Sequence, residues 1–212
     1  MLVVDFLTFN AFQENSYILH DETKECVIID PGMYTQEERD QFLEFIKSKE
    51  LKPVRLINTH CHLDHIFGNN FVSKHFDLKL EIHQGEEEML NAAPQVGKMY
   101  GIPTELNEAP LAYLTTDDVI EFGNSKLSIL FTPGHSPASI SFYNEASSNL
   151  IGGDVLFSGS IGRTDLPGGN MNTLLESIKT QFMVLPDHVI VYSGHGPATT
   201  IGAERLSNPF LK

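Results

Sequence analysis

The sequence predicts an α/β protein whose strands are layered into a sandwich with helices on the outer faces. Three observations lead there. Strand-like runs outnumber helical ones, the helical segments fall between groups of strands, and four apolar runs end within a few residues of a His or Asp. The last of these also points to a site, because ligands of open α/β sheets collect beyond the carboxyl ends of the strands.

The first thirty residues carry short apolar runs at 2–9, 16–19 and 26–29, divided by polar turns, as in a meander at a sheet edge. Thr35-Gln36-Glu37-Glu38 reads as a capping box, and Phe42, Leu43, Phe45 and Ile46 give the following helix an apolar face that ends before Pro53. Next come a buried strand at 54–58, a helix at 65–76, a strand at 78–82 and a helix at 86–100 broken near Pro94. Residues 101–113 read as loop. Further strands are predicted at 119–122, 126–131, 139–143 and 149–152, with Gly123-Asn124 as a turn. Leu174, Leu175, Ile178 and Phe182 mark an amphipathic helix, followed by a strand at 189–192 and a short helix at 203–206.

A chain of 212 residues without a composition break or linker is expected to form one domain with one sizeable core. Its 41% apolar and 20% charged residues are ordinary for a folded globular protein. The formal charge of −14, from 14 basic and 28 acidic residues, and the lack of a Lys/Arg stripe argue against nucleic acid and favour a small-molecule substrate. No stretch has the apolar length of a membrane span, and the N-terminus does not read as a signal peptide, so no membrane partner is expected. Two cysteines, Cys26 and Cys61, give no disulfide framework, and a reducing cytoplasm is the expected compartment.

The strongest local signal is Thr59-His60-Cys61-His62-Leu63-Asp64-His65. With nine His and 11 Asp in the chain, an H-x-H-x-D-H arises by chance in only about one such chain per thousand. In extended backbone, side chains two apart face the same way, so His60 and His62 can grip one ion. A turn into helix then aims Asp64 and His65 elsewhere, toward a second ion. His135, Asp154 and His195 follow the other apolar runs, each beside a Gly that lets backbone crowd a metal pocket. The resulting assignment puts His60, His62 and His135 on the first ion, and Asp64, His65 and His195 on the second. Asp154 lies between them, because a carboxylate can bridge two cations. Mixed His/Asp ligation suits two Zn²⁺, while iron or manganese also match such donors.

This ordered set, H-x-H-x-D-H, then His, Asp and His, resembles the metallo-β-lactamase fold superfamily over nearly the whole chain. The resemblance implies a four-layer αββα sandwich. Asp154, where the lactamases typically place Cys, is similar to the glyoxalase II branch. Gly162-Arg163-Thr164-Asp165-Leu166-Pro167-Gly168-Gly169 resembles short, single-domain glyoxalase II-like hydrolases and, in its Gly-Arg-Thr-Asp core, the persulfide dioxygenases. The implied activity is hydrolysis of a small acyl thioester of the hydroxyacylglutathione type. Two-domain glyoxalase II enzymes add a helical C-terminal domain that helps hold glutathione, whereas here only 17 residues follow His195.

A metal-bound water has its pKa lowered to about 7, so hydroxide held by the ions can attack the carbonyl while the second ion steadies the oxyanion. Asp64 is the candidate to orient the hydroxide proton. A thiolate leaving group, with a conjugate thiol pKa of about 8.5, needs little protonation, which agrees with the lack of an obvious general acid. Arg163 is the candidate to bind a substrate carboxylate; the plainer reading is a loop ion pair with Asp165. Alternation turns Cys61 away from its histidine neighbours, as a packed residue. Asp64 alone also reads as an N-cap for a helix starting at His65. The 86–113 segment reads either as a lid or as an ordinary packed helix and loop.

The rival activity is a mononuclear iron persulfide dioxygenase using His60, His62 or His135, and Asp154. Less favoured are a nuclease, against which the acidic balance argues, and a non-catalytic metal-binding module.

Overall fold

The computed structural model describes residues 1–212, which pack as two compact units. The first comprises residues 1–114 and 121–125, the second residues 115–120 and 126–212.

The first unit opens with the antiparallel strands β1 (Val3–Phe9), β2 (Glu14–His20) and β3 (Glu25–Ile29). Helix α1 (Gln36–Ser48) starts at the predicted capping box: Thr35 Oγ1 accepts from Glu38 N, and the Glu38 carboxylate accepts from Thr35 N. It leads into β4 (Lys52–Ile57), which pairs parallel with β3. Helices α2 (Leu63–Ile66) and α3 (Asn69–Phe76) lead to β5 (Leu80–His83), and α4 (Glu87–Tyr100) leads to β6 (Leu111–Leu114). The sheet order is β1-β2-β3-β4-β5-β6, with β3 to β6 mutually parallel. Three successive strand-helix-strand crossovers therefore bring the carboxyl ends of β3, β4 and β5 to one edge. Ile18, Ile28, Leu56, Leu80 and Ile82 are buried with Phe42 and Ile46 of α1, Val72 of α3 and Leu90 of α4. Each such side chain contributes about 1.5–3 kcal/mol on burial.

The second sheet contains β7 (Val119–Phe122), β8 (Ser125–Phe131), β9 (Ile140–Asn144) and β10 (Asn149–Gly153). The hairpin of β11 (Leu156–Phe157) with β12 (Ser160–Ile161) follows, then α5 (Met171–Ser177). Strands β13 (Ile190–Ser193) and β14 (Thr199–Thr200) and helix α6 (Ile201–Ser207) complete the chain. The order is β14-β13-β10-β9-β8-β7, and β10 and β13 run parallel. Leu150, Val191, Leu174, Ile178 and Phe182 form the core of the second unit.

Two large sheets with helices match the metallo-β-lactamase fold that the resemblance implies. Several elements differ from expectation. The helix predicted at 65–76 is two helices, because Gly68 N donates to Pro31 O and a Cβ at Gly68 would lie 2.0 Å from Met33 Sδ. Asp64 is not an N-cap: that position is held by His62, and Asp64 sits in the first turn. Helix α4 runs through Pro94, held by its buried face of Leu90, Ala93 and Gly97. The loop predicted at 101–113 contains most of β6, and α5 continues as a π-helical turn, Ile178–Phe182. No helix is long and apolar enough to cross a membrane.

Candidate metal centre

The loop after β4 delivers His60 and His62, and α2 delivers Asp64 and His65. The His60 ring centroid lies 4.1 Å from that of His65 and 4.8 Å from that of His62. His65 Nε2 lies 3.7 Å from Asp64 Oδ2. The first unit thus brings the whole predicted H-x-H-x-D-H group together.

Asp30, at the end of β3, organises this group and escaped the sequence reading. It is buried and held at φ 52. Its carboxylate accepts from Thr59 N, Thr59 Oγ1 and Asn58 Nδ2, and His65 Nδ1 lies 3.0 Å from its Oδ2. With the Thr59 hydroxyl donating to Asp30, that oxygen accepts from His60 Nδ1 at 3.0 Å. Both rings are thereby set as Nδ1–H tautomers, with the Nε2 lone pair turned to the opposite side, which is how histidine ligands are oriented in metal sites. Asp30, His60 and His65 also place donor atoms within 4.8 Å of one another. Because four hydrogen bonds already converge on Asp30, it orients the donors rather than serving as one.

Two more buried acids lie beside this group. Glu86, buried just after β5, accepts from Cys61 N at 3.0 Å. Glu14 is fully buried and accepts from Ser16 Oγ; burial, with the negative Asp30 and Asp64 nearby, holds its carboxyl pKa well above the ordinary value against the opposing pull of His65. The one available signal for Asp30 was its place after an apolar run, in Ile29-Asp30-Pro31-Gly32.

In the second unit, β10 and β13 lie side by side and release Asp154 and His195 at the same end, where Gly194 N donates to Gly153 O. His135 enters from the β8–β9 connection. Asp154 Oδ2 lies 3.5 Å from His135 Nε2 and 3.5 Å from His195 Nε2. His135 Nδ1 is 2.7 Å from Arg163 O; it donates to that carbonyl and keeps Nε2 as the lone-pair nitrogen. The approach requires glycine at 162, where a Cβ would lie 2.0 Å from Asp154 O. Gly134 has φ 130, and its Cβ would meet the Leu174 backbone at 2.3 Å.

Arg163 forms the predicted pair with Asp165: Nε and Nη2 each donate to a carboxylate oxygen at 2.8 Å, with both side chains exposed. The hydrogen bond from Arg163 lowers the Asp165 pKa to about 2. Cys61 is 2% exposed, and burial, reinforced by Glu86 and Asp30, raises its thiol pKa well above normal. The other histidines make structural contacts. His20 Nε2 lies 2.8 Å from Asp5, His83 Nδ1 accepts from Gly85 N, His188 Nε2 lies 3.1 Å from Ser148 Oγ, and His75 packs on Phe76.

Comparison with known proteins gives the family of the chain. The model of the family described as "Metallo-beta-lactamase superfamily" matches residues 9–195. The chain is 41% identical over 200 residues to the probable metallo-hydrolase YqgX of Bacillus subtilis, covering 94% of this chain and 92% of the relative. It is 33% identical over 210 residues to the hydroxyacylglutathione hydrolase GloC of Haemophilus influenzae, covering 98% and 97%. Among solved structures it is similar to the BLEG-1 B3 metallo-beta-lactamase, with TM-score 0.91, 37% identity and coverage of 99% and 100%. It is also similar to TTHA1623 in a di-iron-bound form, with TM-score 0.87, 32% identity and coverage of 98% and 100%.

Proposed function

Because the chain belongs to the metallo-β-lactamase superfamily, we propose that it is a dinuclear metal-dependent hydrolase of a small acyl thioester of the hydroxyacylglutathione type. The observation that carries the reading is Asp154 Oδ2, equidistant from two imidazole Nε2 atoms, as suits a carboxylate shared by two cations. The tautomers set by Asp30, Thr59 and the Arg163 carbonyl add three oriented nitrogens to the donor set. Likeness to GloC, named as a hydroxyacylglutathione hydrolase, supports the thioester.

In this proposal the two units act as one catalytic domain over residues 1–212. His60, His62 and His135 would hold one ion and Asp64, His65 and His195 the other, with the Asp154 carboxylate available to both. When bound, such ions supply Lewis acidity and lower the pKa of water to about 7. Asp64 orients the attacking water through its carboxylate. Asp30 and Thr59 keep the imidazoles from rotating, so donor geometry is fixed before substrate arrives. Arg163 exchanges its exposed partner Asp165 for a substrate carboxylate. No side chain is needed to protonate a thiolate whose conjugate acid has a pKa of about 8.5. Zinc suits the mixed His/Asp set, and the di-iron relative supports iron as the alternative.

Metal quantification on the purified protein together with an acyl-thioester panel tests the proposal. Two metals per chain and thioester turnover are expected. One iron per chain with oxygen uptake on a persulfide would replace it with the dioxygenase reading, which Gly162-Arg163-Thr164-Asp165 supports.

A further inference from the structure

The first unit contains a cavity of about 330 Å³ whose lining includes none of the proposed metal donors. It lies between the start of α1, the α2–α3 junction and the loop after α4, and Arg39, Asn69, Asn70, Thr104, Glu105 and Asn107 are among its polar residues.

Three buried polar atoms in this lining have no hydrogen-bond partner: Arg39 Nε, Asn69 Oδ1 and Asn107 Oδ1. The amide orientations follow from their neighbours. Asn58 Nδ2 donates to Asp30 Oδ1 and His65 O, so Asn58 Oδ1 must accept from Asn69 Nδ2 at 2.7 Å, which leaves Asn69 Oδ1 as an unmet acceptor. Asn107 Nδ2 donates to Ala109 O, with the same result. Asn69 is 2% exposed. Arg39 has no ion pair; its guanidinium carbon stands 5.4 Å from the Phe71 ring centroid, which fixes the side chain without neutralising it.

Buried polar groups in native proteins are almost all hydrogen-bonded, so a charged donor and two acceptors left unmet in one lining call for a polar occupant. A simple anion would satisfy Arg39 and leave both amide oxygens unmet. A simple cation would do the reverse. We propose that the cavity binds the zwitterionic head of an α-amino acid. The carboxylate sits on Arg39, and the ammonium is turned toward Asn69 and Asn107 with the Glu105 carboxylate at the rim. Ile66, Leu90 and Pro103 supply an apolar wall for the side chain. The volume is at the small end for ligand pockets, which suits a free amino acid. The site does not depend on the hydrolase reading.

Calorimetric titration of the full-length protein with L-leucine tests this, alongside 4-methylpentanoate and leucinamide, each of which lacks one charge. Saturable L-leucine binding is expected, with each half-ligand at least roughly tenfold weaker. Arg39→Lys and Asn107→Leu should each weaken L-leucine binding by about tenfold while thermal unfolding stays unchanged. The two variants are read separately, so misfolding of one leaves the other informative. No saturable heat up to about 10 mM L-leucine, equal binding of a half-ligand, or wild-type affinity in a folded variant would overturn the proposal.

Discussion

His65 Nδ1 lies 3.0 Å from Asp30 Oδ2, and both side chains are buried. The pair links the carboxyl end of β3 to the helix that carries two proposed metal donors. The same carboxylate holds Thr59 and, through its hydroxyl, His60.

Asp30→Asn is therefore expected to weaken metal retention by about 10–100-fold, with the chain still folded, since Asn tolerates the positive φ at this position. Chelator competition followed by metal analysis measures it. Unchanged retention would remove Asp30 from the support of the donors.

Asp154→Ala and His62→Ala are expected to abolish metal binding at stoichiometric loading and nearly all thioester turnover. The readouts are metal content and initial rates. Full activity in either variant would refute the ligand assignment.

For Arg163→Ala, the expected result is a raised KM with little change in kcat, because a substrate contact made equally in ground and transition states acts on binding alone. Thermal unfolding should not move, since an exposed ion pair contributes little to stability. Unchanged kinetics with lowered stability would assign the pair to the loop instead.

Asp21 gives a pH signature. Burial pushes its pKa up, but hydrogen bonds from Thr23, Ser125 and Asn124 outweigh that and bring it to about 2 from 3.8. A depressed carboxyl pKa stabilises the fold above the unfolded value, and the contribution disappears as pH falls from 3.8 through about 2. Asp21→Asn should thus cost roughly 1–2 kcal/mol at neutral pH and converge on the parent near pH 2. Urea unfolding across that range reads the difference.

Neither thiol should react with iodoacetamide in the folded protein at pH 8. Cys26 has its pKa pushed up to about 12 by burial, and Cys61 is buried with a raised pKa, so little thiolate is present and access is closed. Mass spectrometry before and after denaturation checks this. Rapid labelling of Cys61 would contradict its packed environment.

Much of the fold was legible because its signals are local. Short apolar runs bounded by polar turns marked β1 to β4 and β7 to β10, and the Thr35–Glu38 capping box placed the start of α1. Other elements were not legible for physical reasons. The break at Gly68 depends on Pro31 and Met33 packed against it, and the path of α4 through Pro94 depends on burial of one face. Strand β6 is four residues long and exists because β5 offers a parallel edge.

The sequence by itself determined which residues could donate to metal, since His60, His62, Asp64 and His65 are fixed in spacing by the covalent chain and His135, Asp154 and His195 each follow an apolar run. Tertiary structure alone decided what holds those donors, because Asp30 and His65 are 35 residues apart and meet only when β3 and β4 pair. It alone decided that Arg39, Asn69 and Asn107 share one cavity. Spacing along a chain constrains chemistry within a few residues, whereas hydrogen bonds and cavities are set by which strands and helices pack side by side.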